Sequence, residues 1–287
     1  MNKTTTPWLL LAPALLITGL YVLFPVGQAL WLSLHYVNLF HPRLRPFVGL
    51  ANYLHALADP VFWHSLFNSF IWVFGSVSMQ FLLGLGAALL LNRSFAWRGV
   101  ARALVIVPWA LPSVIIGLLW TWMLDFNLGI VNELSIRLGL IAQPIAWLSR
   151  PDTAMIAVML AVIWQGFPFF AVTLLAGLQG IPAELYEAAS LDGATALGKF
   201  WHVTLPGLAS VIATALLLRT IWVANSLDLI LVMTGGGPGT ATQTLPLHAM
   251  LTAWSGGDYG KGSALAVILT LILLGGMIFS VVRKPAP

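Results

Sequence analysis

Long stretches without charged side chains alternate with short polar segments along the chain. Asp, Glu, Lys and Arg are absent from residues 4–42, 60–92, 103–124, 153–183 and 262–282. A further apolar stretch, 207–232, contains only Arg219 and Asp228. Each stretch can hold the roughly 20 residues with which a helix crosses about 30 Å of hydrocarbon.

Helices are the structure that these stretches predict, because backbone groups in lipid must pair within their own segment. The alternation of apolar and polar positions that marks a membrane barrel is absent. The pattern therefore predicts an all-α membrane protein with six transmembrane helices. Their expected bounds are 8–34, 65–91, 103–124, 153–178, 207–232 and 263–282.

Composition agrees with a chain that meets lipid. Hydrophobic residues make up 59% of the sequence and charged residues only 8%, whereas soluble domains have about a quarter charged residues. The net charge of +4 comes from basic residues scattered between apolar runs; they indicate membrane flanks and no nucleic-acid partner. Without any Cys, thiolate metal sites are excluded, and the six histidines suggest no metal set.

The distribution of Lys and Arg predicts the orientation of the spans. Arg93, Arg98 and Arg102 form the densest basic cluster and follow the second predicted helix. Lys3 and the pair Arg283–Lys284 lie on the same side if there are six spans. Because cytoplasmic loops carry an excess of basic residues, both termini are expected in the cytoplasm. The apolar run from Pro7 to Leu34 exceeds a signal-peptide core, so we expect a retained first helix.

The segment between the fourth and fifth predicted helices has a distinctive spacing. Glu187-Ala188-Ala189 is followed after three residues by Gly193, and after nine more by Val203-Thr204-Leu205-Pro206. It resembles the docking loop of the membrane subunit of ATP-binding-cassette importers, in which an Ile stands where this chain has Val203. The same parity that places the arginine cluster in the cytoplasm also places this loop there.

The resemblance implies a coupling helix that seats in a cleft of an ATPase. The docking residues that it implies are Glu184, Glu187, Ala188, Ala189, Gly193, Leu205 and Pro206. Pro182 is expected at the start of this helix, Gly193 at a sharp turn, and Asp192 as the cap of a second short helix. The competing interpretation is an interfacial amphipathic loop that has no partner.

Two further stretches narrow the resemblance. The chain resembles the carbohydrate-type importer permeases of the maltose and glycerol-phosphate group at Trp164–Phe169 and at Arg219–Ile230, which is followed by Thr234–Pro238. Those permeases often have Phe where this chain has Leu227. The resemblance implies a type I ABC importer permease fold. It also implies a sugar-contacting wall of Gln165, Gly166, Phe169, Asn225 and Asp228.

Other roles for these polar residues stay open. Asn225 and Asp228 are three apart and are expected to share a helix face. Arg219 and Asp228 could instead hold helices together, since polar groups at membrane depth usually face a pore or another helix.

No phosphate-binding loop is present, because the triple glycine before Pro238 lacks a following Gly-Lys-Ser/Thr. ATP and magnesium are therefore expected on a partner, with no cofactor on this chain. The expected partners are a second homologous permease, a cytoplasmic ATPase dimer, an extracytoplasmic solute-binding protein, the bilayer and a sugar-like substrate. The rival functions are an ion-coupled secondary transporter, a membrane enzyme and a passive channel.

The chain is accordingly divided into three parts. Residues 1–64 hold the first helix and the first periplasmic loop, residues 65–282 hold the importer domain with its docking loop at about 181–206, and residues 283–287 form a cytoplasmic tail. The expected location is the bacterial inner membrane.

Overall fold

The computed structural model describes residues 6–282, with side chains over residues 10–278. The basic residues Lys3, Arg283 and Lys284 and the predicted tail lie outside this range. The helices of the described part are α1 (Thr6–Thr18), α2 (Phe24–Ser33), α3 (Ala51–Ala58), α4 (Pro60–Asn92), α5 (Arg98–Ala110), α6 (Ser113–Met123), α7 (Ile130–Arg137), α8 (Pro151–Gln179), α9 (Ala183–Leu191), α10 (Ala196–Lys199), α11 (Leu205–Asn225), α12 (Asp228–Met233), α13 (Leu245–Trp254) and α14 (Tyr259–Val282). Single π-helical turns join α1 to α2 and α10 to α11.

The described residues form six spans when one bent helix pair is counted as a span, which confirms the predicted all-α membrane fold. Within this range, five helical stretches are long and apolar enough to cross a bilayer: Leu10–Ser33, Pro60–Asn92, Pro151–Gln179, Ala196–Met233 and Tyr259–Ile278. The sixth is the pair α5 and α6. Three helices that the pattern did not predict, α3, α7 and α13, are too short to cross the membrane and lie between spans.

The sequence predicts a third span over 103–124 with bends at Pro108 and Pro112, and the span is broken at Pro112. Helices α5 and α6 meet at an angle of 97°. Between them Leu111 is extended, with φ −83° and ψ 140°, because a proline disfavours the helical conformation of the residue before it. Pro112 therefore breaks the span, while Pro108 and Pro168 remain inside α5 and α8.

The fifth span differs from its prediction at its start and in its interior. The helical stretch begins at Ala196, well before the predicted residue 207, and passes through the π-helical turn Phe200–Thr204 into α11. It is interrupted after Asn225, where Ser226 is extended with φ −77° and ψ 125°. The prediction of one continuous helix over 207–232 is therefore wrong. The break separates Asn225 from Asp228, two of the predicted sugar-contacting residues.

The described chain forms two compact units. The first consists of the chain up to His64 together with the chain from Leu245 onward. Within it, α14 packs against α2, α3 and α13. Buried Asn52 donates from Nδ2 to the carbonyl oxygens of Ser33 (2.9 Å) and His35 (3.0 Å).

Within the first unit, an ion pair connects the residue before α4 with the first turn of α14. The Lys261 ammonium lies 3.0 Å from Asp59 Oδ2. Burial alone would raise the pKa of Asp59, but hydrogen bonds from Lys261 and the Val61 N–H, together with the Lys261 charge, hold it below its ordinary value. Burial lowers the pKa of His248, which also interacts electrostatically with Asp59 and Lys261.

The second unit, Ser65–Thr244, is organised around α8. This helix packs against α5, α6, α11 and α12, and its Phe170 and Leu174 are fully buried. Helix α4 reaches the same core: the indole of fully buried Trp72 donates to the Val223 carbonyl oxygen at 3.0 Å. The predicted docking loop and the predicted sugar-contacting residues both belong to this unit.

Candidate elbow and polar cavity

The segment 181–206 folds as a helical hairpin, which we call the elbow. Its first arm is α9, its second arm begins with α10, and the turn between them contains Gly193 at φ +75°. A residue with a side chain rarely adopts this left-handed conformation, which confirms the predicted turn. The cap of the second arm is Thr195, whose Oγ1 accepts from the Gly198 N–H at 3.2 Å. Asp192, predicted as that cap, instead ends α9.

Two side-chain contacts hold the arms of the elbow together. The Tyr186 hydroxyl lies 3.0 Å from Thr204 Oγ1, and the Lys199 ammonium donates to Ser190 Oγ at 2.6 Å. Thr204 belongs to the π-helical turn that continues directly into α11. The contact of Tyr186 with Thr204 thus connects α9 to the start of the fifth span.

The outer face of the elbow is exposed and mostly apolar. No residue of α9 is buried, and Leu191 is 90% exposed. Further large apolar side chains are exposed at Leu185, Leu197 and Trp201. Of the predicted docking residues, Glu184, Glu187, Ala188, Gly193 and Pro206 are exposed, and Ala189 and Leu205 are half-buried. An apolar surface with carboxylates at its side is typical of an interaction site.

A polar cavity lies where the third span breaks. Its volume is about 320 Å³. It is lined by Trp109, Leu111, Pro112, Ser113, Val162, Gln165, Arg219, Trp222, Val223 and Ser226. The predicted residue Gln165 is among them, and its Nε2 donates to Ser113 Oγ at 3.1 Å. The helix break at Leu111–Pro112 thus supplies one wall of the cavity.

Aromatic rings form a second wall. Phe169, another predicted residue, packs edge-on against Trp109 and Trp222, with ring centroids 6.1 and 5.2 Å apart. Because both tryptophans line the cavity, Phe169 supports their positions. The cavity therefore combines aromatic faces with amide and hydroxyl groups.

The buried guanidinium group of Arg219 forms the third wall. Arg219 is only 8% exposed, and its Nε donates to Gln80 Oε1 at 2.7 Å. Gln80 is fully buried and donates in turn from Nε2 to the Val162 carbonyl oxygen at 2.8 Å. Sequence reasoning missed Gln80, although an amide at the centre of an apolar span was a usable signal.

Gly166, another predicted site residue, lies against the Arg219–Gln80 pair. A Cβ on Gly166 would overlap Arg219 Nη2 and lie 2.5 Å from Gln80 Cδ and Nε2. Gly166 is buried and does not line the cavity. It leaves the room that the Arg219–Gln80 pair occupies.

The predicted pair Asn225 and Asp228 is separated by the break in the fifth span. Asn225 is the last residue of α11 and Asp228 the first of α12, so the expected shared helix face is wrong. Both are exposed and neither lines the cavity. The Asn225 side chain donates to the Ile221 carbonyl oxygen at 2.8 Å.

A larger cavity of about 530 Å³ lies beside the triple-glycine loop. Its lining includes Asp125, Trp147, Thr234 and Pro238. It lies at the ends of α6 and α12, outside the polar centre formed by Gln165 and Arg219. The smaller cavity is therefore the better candidate for a solute site.

A polar cavity enclosed by membrane-spanning helices, with an exposed elbow at the end of one span, is the arrangement of a membrane transport component. Residues 80–284 match the family described as binding-protein-dependent transport system inner membrane component, and the chain belongs to that family. It is thus an ABC-importer permease subunit, a transport component whose ATPase is a separate partner.

Comparisons with individual proteins agree with the family. The chain is 42% identical over 267 residues to the trehalose/maltose transport system permease protein MalF of Thermococcus litoralis, covering 93% of this chain and 89% of that protein. It is 39% identical over 261 residues to the sulfoquinovosyl glycerol transport system permease protein SmoG of Agrobacterium fabrum, covering 91% and 84%.

A solved structure shows the same fold. It is a bacterial alginate ABC transporter in complex with an alginate pentasaccharide-bound periplasmic protein, and the TM-score is 0.81 at 20% identity. The match covers 96% of this chain and 92% of that chain. The predicted importer permease fold is thereby confirmed. The family description makes the chain an inner-membrane component of a binding-protein-dependent transport system, and its several spans make it a multi-pass protein.

Proposed function

We propose that this permease carries a sugar or related polyol across the inner membrane, with the 320 Å³ cavity on its path. The observation that carries this proposal is the pairing of Trp109 and Trp222 with Gln165 in one cavity. Sugars have apolar ring faces that pack on aromatic rings and hydroxyl groups that both donate and accept. The relatives named for trehalose, maltose and sulfoquinovosyl glycerol support the same substrate class.

Within the cavity, Gln165 is the proposed direct contact and Phe169 holds the two tryptophans in place. Gly166 serves the site indirectly, through the room that it leaves for Arg219. Asn225 and Asp228 stay proposed contacts, which would meet the solute outside the cavity at the break between α11 and α12.

The elbow is the proposed docking site for a cytoplasmic ATPase. Glu184 and Glu187 are near the positive end of α9, and Ala188, Ala189 and Gly193 keep its surface low enough to enter a cleft. Leu205 and Pro206 lie where the second arm becomes the fifth span. The elbow then faces the cytoplasm, as do both termini and the cluster Arg93, Arg98 and Arg102.

The remaining partners follow from this geometry. One chain supplies one elbow, whereas a dimeric ATPase offers two clefts, so a second permease of similar fold completes the importer. ATP and magnesium bind to the ATPase, and no cofactor binds to this chain. The rival mechanism, ion-coupled secondary transport, does not agree with the binding-protein-dependent family.

The proposed cycle is alternating access. A solute-binding protein delivers the solute at the outer face, and ATP closes the ATPase dimer. The closure displaces α9, and the contacts of Tyr186 and Lys199 pass the displacement to the fifth span. That span carries Arg219 and Trp222, so the cavity changes shape with the ATPase.

Replacing Glu187 with Ala tests the docking proposal. We expect the purified importer to lose solute-stimulated ATP hydrolysis by about tenfold or more, since a central contact of an interface often contributes 2 kcal/mol or more. Expression and membrane insertion should not change. Mass spectrometry of the mildly solubilised wild type should show a second permease and an ATPase.

Glu133→Ala is the matched control. Glu133 is also an exposed helical carboxylate, but it pairs with Arg137 on α7, away from the elbow. It should leave hydrolysis unchanged. Normal coupled uptake in the Glu187→Ala importer would contradict the docking role.

A further inference from the structure

The guanidinium of Arg219 brings a full positive charge to the wall of the cavity. The side chain is 92% buried, since its exposed fraction is 8%, and it lies in the second half of α11, within the fifth span. Arginine keeps its charge in proteins. A charge at membrane depth is costly and marks a functional contact by default.

Neutral groups are the partners that the structure gives to this charge. Nε is held by the Gln80 amide, and that amide is fixed by its own bond to the Val162 carbonyl oxygen. Gly166 lets the guanidinium fit against the helix behind it. The position of Arg219 is therefore built in advance of any solute.

A counter-charge is lacking in the described part of the chain. Its ion pairs are Arg137–Glu133, Arg150–Asp152 and Lys261–Asp59. The cavity lining contains no Asp or Glu among the described residues. Asp228, on the next helix, is exposed and does not reach the lining.

An acidic group is the ligand that this arrangement favours. A carboxylate or sulfonate accepts parallel hydrogen bonds from a guanidinium, and such charge-assisted bonds are roughly twice as strong as neutral ones. The low dielectric of a buried site strengthens the attraction further. A neutral hydroxyl in the same place would leave the charge uncompensated.

We propose that the cavity selects a sugar that bears an acidic group, and that Arg219 binds this group while Trp109 and Trp222 contact the sugar ring. This inference rests on the proposed function, because it presupposes that the cavity lies on a sugar path. Arg219 is then the specificity-determining residue, and Gln80 is a positioning residue that acts through it.

Competitive uptake into proteoliposomes that contain the whole importer tests the inference. The acidic probes are sulfoquinovosyl glycerol and an alginate disaccharide, and the neutral probes are trehalose and maltose. The wild type should prefer an acidic probe. Arg219→Gln should lower the ratio of acidic to neutral uptake by about tenfold or more, the equivalent of roughly 1.4 kcal/mol, while Arg219→Lys, which keeps the charge but loses the parallel hydrogen bonds, should give a ratio between those of Arg219→Gln and the wild type.

Arg150→Gln is the matched control, because Arg150 is an exposed arginine whose charge is paired with Asp152; its uptake ratio should stay that of the wild type. If the importer with Arg219→Gln fails to assemble, the uptake ratios of the wild type and of Arg219→Lys still test whether Arg219 selects acidic sugars.

ATP-driven uptake of neutral probes alone, or a ratio that Arg219→Gln leaves unchanged, would overturn the acidic-sugar inference and leave the proposed function standing. Failure to take up any of the four probes while ATP hydrolysis stays coupled to the binding protein would instead contradict the sugar proposal itself, and the inference with it.

Discussion

At the scale of single residues, the cavity depends on a small set of polar groups inside apolar helices. The resemblance implied Gln165 and Phe169 as solute contacts; Gln165 lines the cavity, and Phe169 packs on two tryptophans that line it. The sequence could not predict the pairing of Arg219 with Gln80, because the two residues are 139 positions apart and only the packing of helices brings them together. For the same reason Gly166 was interpreted as a contact, although it makes room for the pair.

Replacing Gly166 with Ala tests this role. The added methyl group would overlap Arg219 Nη2 and crowd Gln80, so relief would require breaking the Arg219–Gln80 hydrogen bond. Overpacking of this kind costs roughly 1–3 kcal/mol. We expect a lower midpoint of thermal unfolding for the purified protein and reduced solute uptake.

Gly86→Ala supplies the comparison. A Cβ on Gly86 meets nothing within 4 Å, and alanine favours a helix by about 1 kcal/mol over glycine. This variant should be as stable as the wild type or more so. Equal unfolding midpoints for the two variants would show that Gly166 is not constrained by the pair.

At the scale of elements, breaks in helices position the chemistry. The apolar pattern predicts where spans lie, because it reports contact with lipid. It does not report a change of direction within a span, so the bend of 97° between α5 and α6 was predicted only from its proline, and the break after Asn225 was not predicted. Pro112 was a visible signal for the first break, whereas Ser226 gave none for the second.

The elbow shows the opposite case, in which local chemistry was sufficient. Gly193 was predicted at a turn and adopts φ +75°. Gly193→Ala should strain the turn by roughly 1–2 kcal/mol and tilt α9 against the second arm. We expect several-fold less ATPase to co-purify with the permease, and a similar loss of solute-stimulated hydrolysis.

Gly198→Ala is the control in the same hairpin. Its Cβ would meet Thr195 Oγ1 at 3.5 Å and Ala194 Cβ at 3.7 Å, which are ordinary contacts. Normal co-purification is expected for this variant. If Gly193→Ala also co-purified normally, the shape of the turn would have no part in docking.

At the scale of the whole molecule, six spans and an exposed elbow define a permease that depends on other chains for energy. Composition and the spacing of charges predicted the six spans, and the resemblance of the 187–206 segment to an importer docking loop implied the class, which the family match over residues 80–284 confirms. In the proposed function a few side chains in a cavity of about 320 Å³ contact the solute, and helix packing assembles that cavity from distant parts of the sequence.

The most direct test of the account is the energy source of solute uptake. The intact importer in proteoliposomes should take up sugar only when ATP is present on the cytoplasmic side of the importer. Dissipating the proton and sodium gradients should leave the initial rate of uptake unchanged. Uptake by the purified chain alone, driven by an ion gradient and indifferent to nucleotide, would contradict it.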